Sequence, residues 1–445
     1  RKCSAGGRRL KSFRCNKSHS RRDPHRERAM SEQQQWDLTE EVLCGDALNL
    51  AHRSLGADQL HCLTNGAGMM ERLRVLNVAN CRVLDAGGSI LALFLRDSTA
   101  LTELDASNIG LSFISTMDIA DVLSSNALLK TLNLSTNPIG VVGAQFLANG
   151  LSHNTTLESL NVSNCSTGAA GAAAVSGAAA GLGTLGLGNN MIGLGNAEDQ
   201  RRMFTSIADC ASLTALDLSV NGLGAGPSDG DLQEHLTALL SPEGGRPLRL
   251  RFLNLSGNHI GPGTELGLAS ALRGNVWLRQ LLLNGNEVSD RGGEAIAEAL
   301  SSSNTSLETL DVACNLLSDD ANSAIVASLS PAVRSVHLSV GDLGGGSRTA
   351  ACLGQALWGS ERGLKSLHFS YSYMSSLAVC AFAAGIRGNS TLEELNLDGL
   401  ALVDNEEAGS ALGTAVRNHP TLCSFALRDS YGVGLVEALL GAFGG

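Results

Sequence analysis

Apolar and polar positions follow one phrase that returns along this chain. It reads leucine-x-x-leucine-x-leucine-x-x-asparagine-x-leucine. Clear copies are Leu129, Leu132, Leu134, Asn137, Ile139; then Leu213, Leu216, Leu218, Asn221, Leu223; then Leu278, Leu281, Leu283, Asn286, Val288. The leucine-x-leucine alternation puts apolar side chains on one face of a short strand. A stretch with helical spacing follows each strand, as in Gly140, Gly143, Ala144, Leu147 and Leu151.

The first leucine of the phrase falls at Leu73, Leu101, Leu129, Leu157, Leu182, Leu213, Leu250, Leu278, Leu307, Val333, Leu364, Leu392 and Leu422. The spacings are 28, 28, 28, 25, 31, 37, 28, 29, 26, 31, 28 and 30 residues. Leu48, Leu50 and Leu55 form a degenerate earlier copy. A fixed period predicts a solenoid, in which each unit buries its apolar face only against its neighbours. The expected fold class is α/β: about thirteen repeats after an N-terminal cap, with a concave parallel sheet and helices outside. The division that follows is a basic leader over 1–29, a cap with the degenerate repeat over 30–72, and repeats over 73–445.

Two asparagines recur with the period. The ninth-position residue (Asn137, Asn190, Asn221, Asn258, Asn286, Asn315) has the donors and acceptor needed to satisfy backbone groups of adjacent turns. Cys81 and Cys165 replace it in two copies, and Gly341, Ser372, Leu400 and Ser430 in late ones. A second asparagine closes each helix, at Asn126, Asn154, Asn275, Asn304, Asn389 and Asn418.

The 28-residue unit, the Gly-x-x-Gly-Ala run of Gly140–Ala144, and the joins Asn154-Thr-Thr-Leu157, Asn304-Thr-Ser-Leu307 and Asn389-Ser-Thr-Leu392 resemble the ribonuclease-inhibitor-like leucine-rich repeats. The resemblance covers about residues 45–445. It implies a horseshoe and a protein-binding role, as in the sensing domains of nucleotide-binding immune receptors. The Ran GTPase-activating protein is a more distant resemblance. Its arginine-loop phrase, Phe-x-Gly-Arg, is missing; Arg53 and Arg82 lie near early loops without it.

Composition changes the picture in one respect. Residues 1–29 hold eleven Arg or Lys and two acids, Asp23 and Glu27; removing these from the 32 basic and 43 acidic residues leaves 21 and 41 for 30–445, a net charge of −20. An acidic body disfavours nucleic acid and suits basic protein partners. For 1–29 three readings stay open: sequence upstream of a start at Met30, a basic tail, or a mitochondrial presequence. No run of 18 apolar residues exists to span a membrane. The 11 cysteines have no paired spacing, which fits reduced thiols. A cytoplasmic address is expected, with the cilium or cytoskeleton, or the mitochondrion, as alternatives.

The regularity fails in a few places. Asn196–Arg202 and the Gly/Pro clusters at 222–230 and 241–247 read as surface loops. Residues 168–181 are almost all Ala and Gly, which predicts a weak, thin unit. The last unit has no polar closing cap.

No P-loop, H-E-x-x-H, G-x-S-x-G or dinucleotide fingerprint is present, so no enzyme, cofactor or small-molecule substrate is expected. Equivalent positions of successive repeats stack about 4.8 Å apart. That aligns Asp311, His337 and His368, a column with metal-ligand chemistry whose simpler reading is a hydrogen-bonded polar stripe. Large side chains expected on the concave face make the better partner site: Arg251, Phe252 and Arg279 as one patch, and His337, His368, Tyr371, Asp398 and Arg428 as another, since aromatic and arginine residues dominate binding hot spots. A non-catalytic scaffold or sensor is the leading reading, with a subunit of a large intracellular assembly and a Ran-type GTPase activator as rivals.

Overall fold

A computed structural model describes residues 43–65, 68–225, 229–240, 248–302, 306–340, 345–358, 363–402 and 406–428. The leader at 1–29, the start of the cap, 226–228 of the first Gly/Pro cluster, all of the second, Asn304, Gly341 and the segment from 429 lie outside these residues.

The strands are short because only the alternating core of each phrase is extended. β1 (Leu43–Cys44) runs antiparallel to β2 (Ala47–Asn49) around Gly45. Parallel strands follow in chain order: β3 (Val75–Asn77), β4 (Glu103–Asp105), β5 (Thr131–Asn133), β6 (Ser159–Asn161), β7 (Thr184–Gly186) and β8 (Ala215–Asp217). The sheet continues with β9 (Phe252–Asn254), β10 (Gln280–Leu282), β11 (Thr309–Asp311), β12 (Ser335–Ser339) and β13 (Ser366–Ser370). It closes with β15 (Glu394–Asn396) and β17 (Ser424–Ala426), while β14 (Tyr373–Met374) and β16 (Ala401–Leu402) pair apart from it.

Between strands lie the helices: α1 (Ala57–Thr64), α2 (Met69–Arg72), α3 (Leu84–Asp97), α4 (Phe113–Leu123), α5 (Gly140–Leu151), α6 (Gly168–Gly177) and α7 (Ala197–Ala208). Then come α8 (Asp229–Leu240), α9 (Thr264–Arg273), α10 (Asp290–Ser302), α11 (Asp319–Ser328), α12 (Ser347–Leu357), α13 (Ser376–Arg387) and α14 (Glu406–Arg417). The result is the expected α/β solenoid, an open parallel sheet with helices behind it. No described helix is long and apolar enough to cross a membrane.

The register puts like residues on like. Leu132 pairs with Leu104 and Leu160, and Leu253 with Leu216 and Leu281. Their side chains are fully buried and form one spine. Phe94, Phe204, Phe369 and Phe382 fill wider parts of it. α6 has no such bulk. Because Gly171 lacks a Cβ, α6 approaches α5 closely; a Cβ there would lie 2.9 Å from Ala144 Cβ.

The ninth-position asparagines are buried and doubly engaged. Asn258 donates to Leu218 O and Leu255 O at 2.9 Å each, and its Oδ1 accepts from Asn221 N at 3.0 Å. Asn221 in turn accepts from Asn190 N at 2.8 Å, and Asn286 from Asn258 N at 2.9 Å. Each amide therefore ties its own turn to the preceding repeat. Cys165 keeps part of this by donating to Leu134 O at 3.2 Å, and burial pushes its thiol up to about 11, so it stays protonated. Past Asn315 the device changes. Ser372 bonds only its own turn, through Ser370 O, and the extra β14–β16 pair links those repeats through the backbone.

Two local expectations are corrected. Asn196–Arg202 is not a loop: Asn196 caps α7, its Oδ1 accepting from Asp199 N at 2.8 Å, and Glu198 pairs with Arg201 and Arg202 along the helix. In the last described repeat His419, not Asn418, stands where Asn389 stands one repeat earlier. His419 Nδ1 accepts from Leu422 N at 3.1 Å, as Asn389 Oδ1 accepts from Leu392 N at 2.8 Å.

A third link was not read from the sequence. Carboxylates near one helix N-terminus receive N–H groups from the start of the next helix. Asp319 accepts from Arg348 N and Thr349 N, both at 2.8 Å, and from Thr349 Oγ1; Asp85 serves Ser112 and Ser115 likewise, and Asp290 accepts from Ser318 N. Burial pushes the Asp319 carboxyl up, but the donors of Thr349, Arg348 and Gly346 outweigh it and hold the group below its ordinary 3.8.

Replacing Asn258 by Ala leaves several buried backbone groups unpaired, which costs about 3 kcal/mol. The exposed Asn149→Ala change on α5 should stay within about 0.5 kcal/mol; urea denaturation compares the two. A depressed carboxyl adds stability that is present above its ordinary value and lost as pH falls through the lower folded value. The urea midpoint should therefore drop as pH goes from about 6 to about 3, and Asp319→Asn should drop less over that range.

Candidate interaction surface

On each parallel strand the residues before and after the central leucine face away from the spine. The one after it is usually Asn or Asp, and its side chain is already occupied. Asn133, Asn161, Asp217, Asn254, Asp311 and Asn396 each accept the N–H two residues on, at 2.8–3.1 Å. This recurring side-chain turn bends the chain out of the strand. It removes most of the column from candidacy as ligand groups. The informative positions are the exceptions: Gly186, Leu282, His337, His368 and Ala426.

Gly186 opens a depression. The residues before the central leucines of β5–β8, Thr131, Ser159, Thr184 and Ala215, are all small, and a cavity of about 340 Å³ lies on the sheet face. Asn161, Asp217 and Phe252 also line it. The Asn161 amide leans over Gly186, where a Cβ would lie 2.5 Å from its Oδ1. Phe252 is half-buried and forms the β9 wall, rather than standing free as the sequence implied. Arg251 is exposed beside it. Arg279, on the next repeat, pairs with Glu308. The sequence singled out Phe252 and missed the hollow, because a hollow is written as missing side chains.

The second patch lies two strands further on. His337 and His368 stack face to face, ring centroids 4.0 Å apart and planes 4° apart. Asp311 Oδ2 lies 3.2 Å from His337 Nδ1, and Ser335 Oγ lies 3.3 Å from His337 Nε2. His368 Nε2 lies 3.5 Å from Glu394 Oε1, an ion-pair contact when the ring is protonated. Stacked parallel rings do not converge on a common ion, and among the described residues no group of three His, Cys, Asp or Glu side chains is placed to hold one. The polar-stripe reading of this column is the one the geometry supports. Burial, then the neighbouring His337, lowers the His368 pKa below the ordinary 6.5, against the opposing pull of Glu394.

Tyr371 projects from the end of β13 with a left-handed backbone, φ 52°, and its ring lies over Gly399. Asp398 accepts from Arg428 N at 2.6 Å, so it shapes a turn between the last described repeats. The structure thus keeps the two predicted patches apart, one on β9–β10 and one on β12–β17.

These columns belong to a recognised repeat. A sequence model described as Leucine Rich repeat matches residues 125–148, 153–176, 250–263, 274–297 and 303–326. The chain is a leucine-rich repeat protein. No curated protein matches it. Among solved structures, this leucine-rich repeat protein is similar to an internalin from Listeria monocytogenes, at 18% identity over 87% of this chain and 88% of that one, TM-score 0.44. It is also similar to the leucine-rich repeat-containing protein LegL7 from Legionella pneumophila, at 19% identity over 77% and 91%, TM-score 0.38. A TLR13–ssRNA13 complex matches at 16% identity over 89% and 54%, TM-score 0.47. Likenesses this distant carry no argument about function.

In an NMR titration His368 should protonate below the ordinary 6.5, and His337→Ala should move its midpoint upward by removing a like charge and readmitting water.

Proposed function

We propose that this leucine-rich repeat protein is a non-catalytic scaffold or sensor whose concave sheet face binds a protein partner. One observation carries the reading: the 340 Å³ depression floored by small side chains and walled by Phe252. A protruding apolar element of a partner fits a hollow of this kind, with an aromatic edge as anchor and polar groups at its rim. The net charge of −20 over 30–445 favours a basic partner. The 28-residue period with a full helix in most repeats supports the ribonuclease-inhibitor-like subfamily. The free thiols of the cysteines with described side chains support a reducing, cytoplasmic setting.

Affinity purification from cell extract, with the full chain as bait, tests this reading. Wild type should retain a stoichiometric protein. Ala215→Trp fills the hollow and should abolish retention while leaving the far-UV spectrum unchanged. Phe252→Ala should weaken retention about tenfold or more. If both variants hold the same partner as wild type, the concave face is not the site.

A further inference from the structure

A second surface lies on the helix-entry edge of the solenoid, away from the sheet face. Leu84, Phe113, Ile114, Met117, Val141 and Val142 stand where α3, α4 and α5 begin, each 38–55% exposed. They occupy three consecutive repeats, and Leu84, Phe113 and Val141 are bare for a common reason. The following repeat meets them with glycine. A Cβ added to Gly110 would lie 2.7 Å from Leu84 Cδ2, one on Gly143 would lie 3.4 Å from Phe113 Cβ, and one on Gly168 would lie 3.9 Å from Val141 Cγ2. No side chain from these positions covers the apolar groups.

The strip leads to the start of α6. α6 carries nothing larger than Val175, which is buried. On the far side Met191 and Leu194 are 50% and 74% exposed, and Gly195 rests against Ala169. The first turn of α6 is therefore a floor of glycine and alanine between Val141 and Val142 on one side and Met191 and Leu194 on the other. The charge around it is one-sided. α4, α5 and α6 contain two carboxylates, Asp118 and Asp121, and no lysine or arginine. Arg82 stands at the start of the strip, and Arg201 and Arg202 on α7 are paired with Glu198.

We propose that this cradle docks an amphipathic helix of a partner protein, apolar on one face and flanked by lysine or arginine. An exposed apolar strip rimmed by polar residues is the mark of an interaction site. Apolar side chains standing on either side of a smooth floor suit a helix that lays its i, i+3, i+4 and i+7 anchors into a groove. The exposed Asp121 selects a basic flank, with Asp118, half-buried and accepting from Ser89 Oγ at 2.6 Å, behind it. A second copy of this chain is a poorer occupant, because each copy brings the same acidic edge and a net charge of −20 over 30–445. This surface is separate from the concave face, so either site stands if the other falls.

The test uses the full chain and two dye-labelled amphipathic peptides of identical leucine pattern, one with lysine and one with glutamate on the polar face, read by fluorescence anisotropy. The lysine peptide should bind, and the glutamate peptide should bind at least about tenfold more weakly. The Ile114→Ser/Val142→Ser double variant, at two exposed positions, should keep its circular dichroism spectrum and weaken the lysine peptide by about tenfold or more. Asp121→Lys should weaken the lysine peptide and strengthen the glutamate one. Equal binding of the lysine peptide to wild type and the folded double variant would overturn the proposal. So would a wild-type dimer in sedimentation that the double variant abolishes, which would make a second copy the occupant.

Discussion

The buried asparagine amide is the constraint on which this architecture rests. A strand of three residues leaves its turn with backbone N–H and C=O groups that no sheet ladder reaches, and such groups are costly to bury bare. One carboxamide at the ninth position answers both needs. Its nitrogen donates to its own turn and to the preceding repeat, and its oxygen accepts from that repeat's loop. From Asn190 to Asn286 the amides engage one another's backbone, so the strand register, the exit turn and the start of each helix are fixed together. The leucine spine then fills a frame whose geometry is already set. Asp85, Asp290 and Asp319 repeat the same logic at the helix starts, with a carboxylate in place of the amide.

What could be read from the sequence follows this division. The leucine columns and the amide at the ninth position were legible because they recur. Their failures were also partly legible: Cys165 holds the amide's place with one weak donor instead of a full set. Other features were hidden by adjacency. Asn418 and His419 are neighbours, and both can accept two backbone N–H groups; only the register shows that the imidazole does so. Asn196 looked like the start of an insertion, yet its spacing to Asp199 is the signature of a helix cap. The carboxylate links at Asp85 and Asp319 span repeats, and nothing within one repeat announces them.

The candidate surfaces divide in the same way. Asp311, His337 and His368 were aligned correctly, but the function of an Asx at that strand position is to fold its own chain, and one oxygen of Asp311 is spent on Ala313 N. The histidines are the departure: they stack on each other, and His337 is held by Asp311 and Ser335. Phe252, Arg251 and Arg279 were found because they are large. The hollow beside them and the glycine-backed strip on α3–α5 were missed because they consist of what is not there. In a solenoid small residues are as informative as large ones, since a missing side chain in one repeat exposes a face of its neighbour.

The change of fastening after Asn315 has a mechanical meaning. Solenoid stability is close to a sum of repeat and nearest-neighbour terms, so each kind of joint contributes its own term. The repeats carrying the hollow are sewn by side chains that penetrate the turn. The His368 repeat and the one after it add the β14–β16 strand pair, a backbone seam at the rim. Between the two kinds of joint, β12 and β13 pair over five residues instead of three. Later repeats are thus fastened at the rim by main chain, which any residue can supply, where the earlier ones depend on one amide that few residues can replace.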